Sequence, residues 1–398
     1  MVCAYVEYKE AIMKRVYADN AATSFPKPSE VSKAMCNYID NIGGNVGRGT
    51  YESAYAAARV VYETRELISK LFNFPHSLNV VFTANITESL NTIIKGFLKP
   101  GDGIIVSSME HNAVMRPLSS KALTGIEITR LQCEEDGTFP LNILERNIKN
   151  NTKLVVITHA SNVCGTIMPV KEVGKICKKY GIHFVLDAAQ SAGVLDLDFQ
   201  KLNLSALAFT GHKGLLGPQG IGGFLINKDF EQLINPLKEG GTGSFSDAEV
   251  QPEILPDKFE CGTLNTPGIY GLNAALKYIE HKGIENIRVF EEELSKDFLN
   301  KVLNIDEISL SGIKNTIGRT SVFSINFTTI DNAEAAFILD REFGIMTRVG
   351  LHCSPAAHKT LGTFPSGSVR FSFGSFNDIE EIDYVASSIL KTIKMLKH

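Results

Sequence analysis

From residue 53 to residue 226, apolar runs of strand length alternate with segments of helical period, and this alternation constrains the fold most. Strands joined by helices form a mostly parallel sheet with helices on its faces. The predicted strands are 79–83, 103–107, 126–131, 154–159, 183–187, 206–210 and 222–226. The predicted helices are 53–72, 88–98, 112–123 and 170–180, the last ended by Gly181. We therefore predict an α/β fold around a mostly parallel sheet of seven strands.

The pattern changes after Pro267. Long amphipathic stretches precede short alternating strands and a closing helix, which is typical of an α+β domain. These elements are predicted at 269–281, 284–302, 321–327, 369–372 and from Asp378 onward. We expect a large α/β domain over residues 20–266 and a smaller α+β domain formed by residues 1–19 and 267–398. No Pro/Ser-rich linker separates them, so we expect the two domains to pack closely.

Polar side chains follow four of the predicted strands. His111 and Asn162 follow the second and fourth strands, Asp187 and Gln190 close the fifth, and Lys213 follows the sixth. Ligands of an open parallel sheet bind outside the carboxyl ends of its strands. We therefore expect these side chains to meet in one crevice.

Lys213 lies in a glycine-rich segment, T-G-H-K-G-L-L-G-P-Q-G-I-G-G over 210–223, and Asp187 lies in L-D-A-A-Q over 186–190. A lysine amine can form a Schiff base with pyridoxal phosphate, and an acid can keep the pyridine nitrogen of that cofactor protonated. The competing interpretation is a surface lysine in a turn, because a lone glycine-rich motif is a weak signal. Clustering at the strand ends favours the cofactor.

Cys353 lies in the loop L-H-C-S-P over 351–355, with Arg348, His352 and His358 close in sequence. Positive neighbours favour a reactive thiolate. Most cysteines are instead small buried apolar residues, and we expect this of the other six. A Cys/His metal site needs more ligands than this loop supplies, so no metal is predicted.

Composition limits the possible partners. A formal net charge of -4 gives no electrostatic reason to expect nucleic acid or an anionic membrane, so a small substrate is expected. The seven cysteines show no C-x-x-C pair, which favours a reducing compartment. Residues 1–20 lack a continuous apolar core, so we expect neither a signal peptide nor a membrane span, and a cytoplasmic location.

Several motifs together resemble one family, and they run nearly end to end. They are Y-A-D-N-A-A-T (17–23), N-V-G-R-G (45–49), T-A-N-I-T-E-S (83–89), E-H-N (110–112), S-N-V-C-G-T (161–166), D-A-A-Q (187–190), G-H-K (211–213), R-V-G-L-H-C (348–353) and Arg370. In order and spacing the chain resembles class V, fold-type I pyridoxal phosphate enzymes of the cysteine desulfurase and selenocysteine lyase group, particularly SUF-type desulfurases. The resemblance implies the fold-type I architecture.

The resemblance also implies which residues hold pyridoxal phosphate. They are Lys213 through a Schiff base, Asp187 at the pyridinium nitrogen, His111 stacked on the ring, Asn162 and Gln190 near the phenolic oxygen, and Thr87, Thr210 and His212 at the phosphate. Thr263 resembles a threonine that reaches the phosphate in a partner subunit, which implies a homodimer with shared active sites. From residue type alone, His111 could instead cap a helix, Asn162 could be a turn residue, and Thr263 could lie in a polar turn before Pro267.

The implied reaction converts L-cysteine to L-alanine. Arg370, with Arg348 nearby, would bind the substrate carboxylate and Lys213 would remove the α-proton. Cys353 would accept the sulfur as a persulfide, and His111 would shuttle a proton. A sulfur-acceptor protein is a possible partner. L-selenocysteine lyase, another C–S lyase, a class V aminotransferase or epimerase, and a non-enzymatic scaffold or sulfur-carrier assembly partner remain alternatives.

Two positions depart from many relatives of this group. Gly47 stands where those relatives have a histidine before the arginine of N-V-H-R-G, and Leu351 replaces the first histidine of their His-His-Cys. Each change removes an imidazole near the predicted site. We expect an effect on substrate preference or on the partner that receives sulfur.

Overall fold

The computed structural model describes residues 14–397 except Arg48 and Leu123. Residues 1–13 of the predicted smaller domain, Arg48 of the N-V-G-R-G motif and the end of the predicted helix 112–123 therefore lie outside the described residues. Among the residues described, no helix has both the length and the apolar character needed to cross a bilayer.

The strands, in chain order, are β1 (Val16–Tyr17), β2 (Val80–Thr83), β3 (Gly103–Ser107), β4 (Glu127–Leu131), β5 (Thr152–Thr158), β6 (His183–Asp187), β7 (Ala206–Thr210), β8 (Gly222–Ile226), β9 (Ile308–Ser311), β10 (Val322–Phe327), β11 (Ile345–Met346), β12 (Arg348–Gly350) and β13 (Ser368–Ser372). The α-helices are α1 (Ser29–Asn37), α2 (Glu52–Leu71), α3 (Ile86–Phe97), α4 (Asn112–Ala122), α5 (Leu141–Leu144), α6 (Val170–Tyr180), α7 (Lys228–Glu231), α8 (Thr266–Lys282), α9 (Ile284–Val302), α10 (Asn332–Phe343), α11 (Pro355–Thr360) and α12 (Ile379–Leu396).

The large sheet has seven strands in the order β2-β8-β7-β6-β5-β3-β4. Only β8 runs antiparallel to its neighbours, β2 and β7, which confirms the mostly parallel α/β sheet. The helix predicted from residue 88 begins earlier, at Ile86, because the side chain of Asn85 caps it by accepting the Glu88 N–H at 3.0 Å. The predicted stop of α6 at Gly181 is confirmed, with φ +65° at this glycine.

Successive residues of the central strands point to opposite faces of the sheet and build two cores. On β5, Val155 packs in the core beneath α2, α6 and α8, whereas Val156 packs in the core beneath α3 and α4. Leu207 and Ala208 of β7 divide in the same way. Burial on both faces explains why these strands read as continuous apolar runs in the sequence.

The small sheet is antiparallel and has the order β12-β13-β10-β9. Its core contains residues from both ends of the chain, since Val16 and Ala18 pack with Phe298, Phe323 and Phe371. β1 pairs in parallel with β11. Val16 and Ala18 thus pack with the small sheet, whereas α8, which the prediction assigns to the smaller domain, packs in the core of the large sheet. The division into residues 20–266 and residues 1–19 with 267–398 remains a prediction.

The loop after β5 contacts the small sheet closely at Gly165. Thr320 N–H donates to the Gly165 carbonyl at 2.9 Å, and a Cβ added to Gly165 would lie 2.7 Å from the carbonyl oxygen of Val322. Gly165 also has φ +79°, a conformation that L side chains rarely adopt. These contacts fix the position of the loop that carries Asn162 relative to β10.

We predict that Gly165→Ala destabilises the protein more than Gly181→Ala does. Both glycines have positive φ, so both substitutions carry left-handed strain of about 1–2 kcal/mol. A Cβ at Gly181 meets nothing within 4 Å, whereas one at Gly165 overlaps two carbonyl groups, which should add about 1–3 kcal/mol. Urea unfolding of both variants measures the difference, and equal losses would show that the contact between the loop and the small sheet is loose.

Candidate active site

The ends of β3, β5, β6 and β7 bring the predicted residues to one crevice. Lys213 lies close enough to Asp187 and Arg370 for their charges to act on its amine, and His111 is within the field of Lys213 and Arg370. Asn162 contacts both Arg370 and the loop of Cys353. The predicted crevice at the carboxyl ends of the strands is therefore present.

The peptide of His212 and Lys213 is held by the segment that follows β1. The carbonyl of His212 accepts hydrogen bonds from the N–H of Ser24 at 3.0 Å and from Lys27 Nζ at 2.7 Å, and Ser24 Oγ donates to the Lys213 carbonyl at 2.9 Å. Burial in the crevice, reinforced by the charge of Arg370, lowers the pKa of Lys213 to about 8. Near neutral pH the Lys213 amine is therefore neutral in a fraction of the molecules, and in that form it can act as a base.

Two buried acids lie below the crevice. Asp187 Oδ1 accepts the Ala189 N–H at 2.9 Å, and burial raises the pKa of Asp187 while the charge of Lys213 lowers it. Glu110 accepts a hydrogen bond from Ser107 Oγ at 2.5 Å and two from the Thr158 N–H at 3.0 and 3.1 Å. Burial raises the pKa of Glu110 to about 8. Glu110 thus joins the ends of β3 and β5 as a largely neutral group at neutral pH.

Several polar atoms fit a phosphate group. Thr87 lies in the first turn of α3, where the helix dipole and free N–H groups favour an anion. Thr210 Oγ1 and His212 Nδ1 are buried and have no hydrogen-bond partner among the described residues. Buried polar atoms ordinarily have partners, so these two suit the oxygen atoms of a bound ligand. The residues predicted to hold phosphate are consistent with that group.

His111 both caps α4 and faces the crevice. Its Nδ1 accepts the Ala113 N–H at 3.0 Å, so the capping role considered from the sequence is present. Burial lowers the pKa of His111 to about 4, and the positive charge of Lys213 adds to this effect. The imidazole is therefore neutral at neutral pH, and with Nδ1 as acceptor its proton lies on Nε2.

Arg370 of β13 crosses from the small sheet to the crevice, with 1% of its surface exposed. Its Nη2 donates to Asp19 Oδ1 at 2.6 Å and its Nη1 donates to the Asn162 carbonyl at 3.0 Å. Its Nε has no hydrogen-bond partner among the described residues. Sequence reasoning missed the role of Asp19, although this residue belongs to the quoted Y-A-D-N-A-A-T motif.

The side chain of Cys353 is exposed, and its loop has an unfavourable backbone conformation that other contacts must stabilise. His352 and Cys353 have φ +48° and +59°, two successive left-handed residues that are not glycine. Asn162 Nδ2 donates to the His352 carbonyl at 2.7 Å, and the Asn112 N–H donates to the Cys353 carbonyl at 2.8 Å. Arg348 Nη2 lies 3.8 Å from Cys353 Sγ and is placed to donate a hydrogen bond to it.

The other cysteines meet the expectation only in part. Cys133, Cys164 and Cys177 are buried, and burial raises the pKa of Cys133 to about 11 and that of Cys177 to about 12. The expectation is wrong for Cys36, which is exposed on α1, and Cys261 is half-buried. Cys3 lies outside the described residues.

The remaining predicted residues lie at the margin of the crevice or beyond it. Gln190 lines a small cavity with Lys213 and donates from Nε2 to the Ala21 carbonyl at 3.0 Å. Thr263 is exposed in a separate depression beside Glu88, at the start of α3. Gly47 faces the loop that contains the glycines of 240–243.

Comparison with known proteins places this chain and its fold in one family. The family model for class-V aminotransferases matches residues 16–385. The chain therefore belongs to the class-V aminotransferase family, whose enzymes depend on pyridoxal phosphate.

Its relatives are cysteine desulfurases. A probable cysteine desulfurase of Pyrococcus abyssi is 36% identical over 392 residues, covering 96% of this chain and 95% of the relative. The apo structure of a cysteine desulfurase from Thermococcus onnurineus NA1 superposes with a TM-score of 0.90 at 34% identity, covering 96% of this chain and 95% of the other. A cysteine desulfurase from Escherichia coli superposes with a TM-score of 0.85 at 26% identity, covering 96% and 95%.

We predict that Glu110→Gln changes the pH dependence of stability. Because the pKa of Glu110 is raised to about 8, the folded protein keeps a proton that the unfolded chain releases above about pH 4.3. Wild type therefore loses stability relative to the variant as pH rises from about 4.3 to 8, by at most about 1.4 kcal/mol per pH unit. Urea unfolding at several pH values measures this, with Glu66→Gln as an exposed control; parallel curves for wild type and Glu110→Gln would contradict it.

Proposed function

We propose that this chain is a pyridoxal-phosphate-dependent cysteine desulfurase that converts L-cysteine to L-alanine and keeps the sulfur as a persulfide on Cys353. The observation that carries the proposal is the exposed Cys353 thiol, 3.8 Å from Arg348 Nη2, on a loop fastened to the crevice of Lys213 by Asn162. The names of the relatives at 30–36% identity support the same reaction.

The residues that would hold the cofactor are drawn from the crevice. They are Lys213 at the aldehyde carbon, Asp187 at the ring nitrogen, His111 at the ring face, Gln190 and Asn162 at the ring edge, and Thr87, Thr210 and His212 at the phosphate. When bound, pyridoxal phosphate supplies an electron sink for negative charge at the substrate α-carbon. The side chain of Asn162 already uses Nδ2 and Oδ1 in hydrogen bonds to His352 and Ser354, so its main role is to position the loop of Cys353.

Lys213 acts as the base at the substrate α-carbon. With a pKa of about 8 its amine is neutral in a useful fraction of molecules near neutral pH, and an efficient general base has a pKa close to the working pH. His111 is neutral and holds its proton on Nε2, from which a proton can be delivered to the substrate. Both groups reach these states through burial.

Arg370 binds the substrate carboxylate, and Cys353 attacks the substrate sulfur. A guanidinium carries more N–H donors than the two that Arg370 uses on Asp19 and Asn162, so the carboxylate can bind without breaking either bond. The Arg348 guanidinium, with Nη2 3.8 Å from Cys353 Sγ, lies beside the attacking sulfur. Cleavage of the substrate carbon–sulfur bond and protonation of the product then release L-alanine.

Cys353→Ala tests this proposal. The expected variant binds pyridoxal phosphate normally, as measured by absorbance, but forms no alanine and no sulfide from L-cysteine, because the acceptor of the sulfur is missing. Full desulfurase activity in Cys353→Ala would contradict the role of Cys353.

The same variant separates the alternative substrates. Cys36→Ala, which removes the exposed thiol of α1, is the matched control and should keep wild-type rates. Assays of alanine, pyruvate, sulfide and selenide with L-cysteine, cystine and L-selenocysteine distinguish desulfurase, lyase and transaminase activity. Selenide released from L-selenocysteine by Cys353→Ala at the wild-type rate, with no reaction of L-cysteine in either protein, would identify a selenocysteine lyase.

We further propose that the enzyme is a cytoplasmic homodimer in which Thr263 reaches the phosphate of the partner's cofactor. Exposure of Thr263 in a depression at the start of α3, away from Lys213, supports this. Thr263→Val should weaken pyridoxal phosphate binding about tenfold, as the loss of one hydrogen bond to a charged group. Mixing it with Lys213→Ala should restore normal affinity in half of the sites of each mixed dimer; no recovery, or a monomer in sedimentation, would contradict shared sites.

A further inference from the structure

A groove leads away from Cys353 between α3 and α4. It is lined by side chains spaced four residues apart on each helix: Thr87, Asn91 and Lys95 on α3, and Asn112, Arg116 and Ser120 on α4. Residues at this spacing lie on one face of a helix, so each wall presents one polar stripe. The Asn112 N–H binds the Cys353 carbonyl, so the thiol lies at the end of the groove where α4 begins.

The walls of the groove are positively charged. Lys95 and Arg116 face it from opposite sides, and no aspartate or glutamate among the described residues lines it. Neither cation takes part in an ion pair within the described residues. The chain as a whole carries a net charge of -4, so this is a local positive surface on an acidic protein. Such a surface favours an anionic partner.

The length of the groove favours a peptide over a small thiol. From Asn112, next to Cys353, to Ser120 the wall on α4 rises through two turns of helix, roughly 12 Å. An extended peptide advances about 3.3 Å per residue, so roughly four residues fit between the thiol and the outer end. A small thiol could reach Cys353 without covering Lys95.

We propose that this groove receives an acidic, cysteine-containing segment of a protein that accepts the sulfur, an inference that rests on the proposed desulfurase function. The thiolate of the segment attacks the outer sulfur of the Cys353 persulfide and forms a new S–S bond. The bond between that sulfur and Sγ of Cys353 breaks, and its electron pair stays on Sγ. The proton of the incoming thiol goes to solvent, so no oxidant or reductant is consumed.

The test uses the holoenzyme, loaded with L-cysteine, and two peptides of equal length. One peptide has aspartates on both sides of a single cysteine, and the other has lysines in their place. Mass spectrometry measures the rate at which each peptide gains one sulfur. Two exposed ion pairs should make the acidic peptide roughly tenfold faster at low ionic strength, with the ratio falling towards one at about 1 M salt.

Lys95→Glu should remove most of that preference while sulfide release to dithiothreitol stays unchanged. The matched control is Lys99→Glu, an exposed lysine just beyond α3 that does not line the groove, and it should keep the preference. Equal rates for the two peptides, or equal losses in both variants, would overturn the groove as the docking site. Failure to form any persulfide on Cys353 would instead reject the desulfurase function.

Discussion

The buried guanidinium of Arg370 ties together the segments from which the crevice is built. It belongs to β13, binds the Asp19 carboxylate after β1, and binds the Asn162 carbonyl after β5. Isolated buried charges are strongly unfavourable, so the two partners stabilise one relative placement of these segments. The small sheet, the start of the described chain and the large sheet therefore meet at one charged group.

The same desolvation sets the protonation states of the reacting groups. Burial lowers the pKa of Lys213 to about 8 and that of His111 to about 4, and it raises the pKa values of Glu110 and Asp187. All four shifts favour the neutral form. For Lys213 the neutral form is the useful base, whereas Asp187 needs a cationic ring nitrogen beside it to favour the carboxylate. Low polarity around the crevice thus suits a lysine base, whereas a protonated pyridine ring would depend on its pairing with the Asp187 carboxylate.

Local sequence patterns predicted the elements whose burial is periodic. The ranges of β3, β6, β7, β8 and α6 agree with prediction, because each places several apolar residues on a defined face. The pattern missed β1, β9, β11 and β12 and the helices α1 and α10. Of these, β1, β11 and β12 have only two or three residues each and take their register from distant partners, such as Val16 opposite Ile345. The position of Lys213 at the end of a strand could be predicted from the local sequence. The pair of Asp19 and Arg370 could not, because these two residues are 351 positions apart in the chain.

Residues next to the large sheet, rather than the neighbouring strand β12, hold the loop of Cys353 in position. Two successive left-handed residues carry strain of about 1–2 kcal/mol each, and hydrogen bonds from Asn162 and Asn112 offset it. Because these two residues follow β5 and begin α4, the thiol, the crevice and the charged groove share one rigid frame. Leu351 adds no hydrogen-bond donor or acceptor from its side chain to that frame. In the proposed transfer of sulfur, recognition of the acceptor would therefore fall to the charged walls of the groove rather than to the side chain that precedes His352.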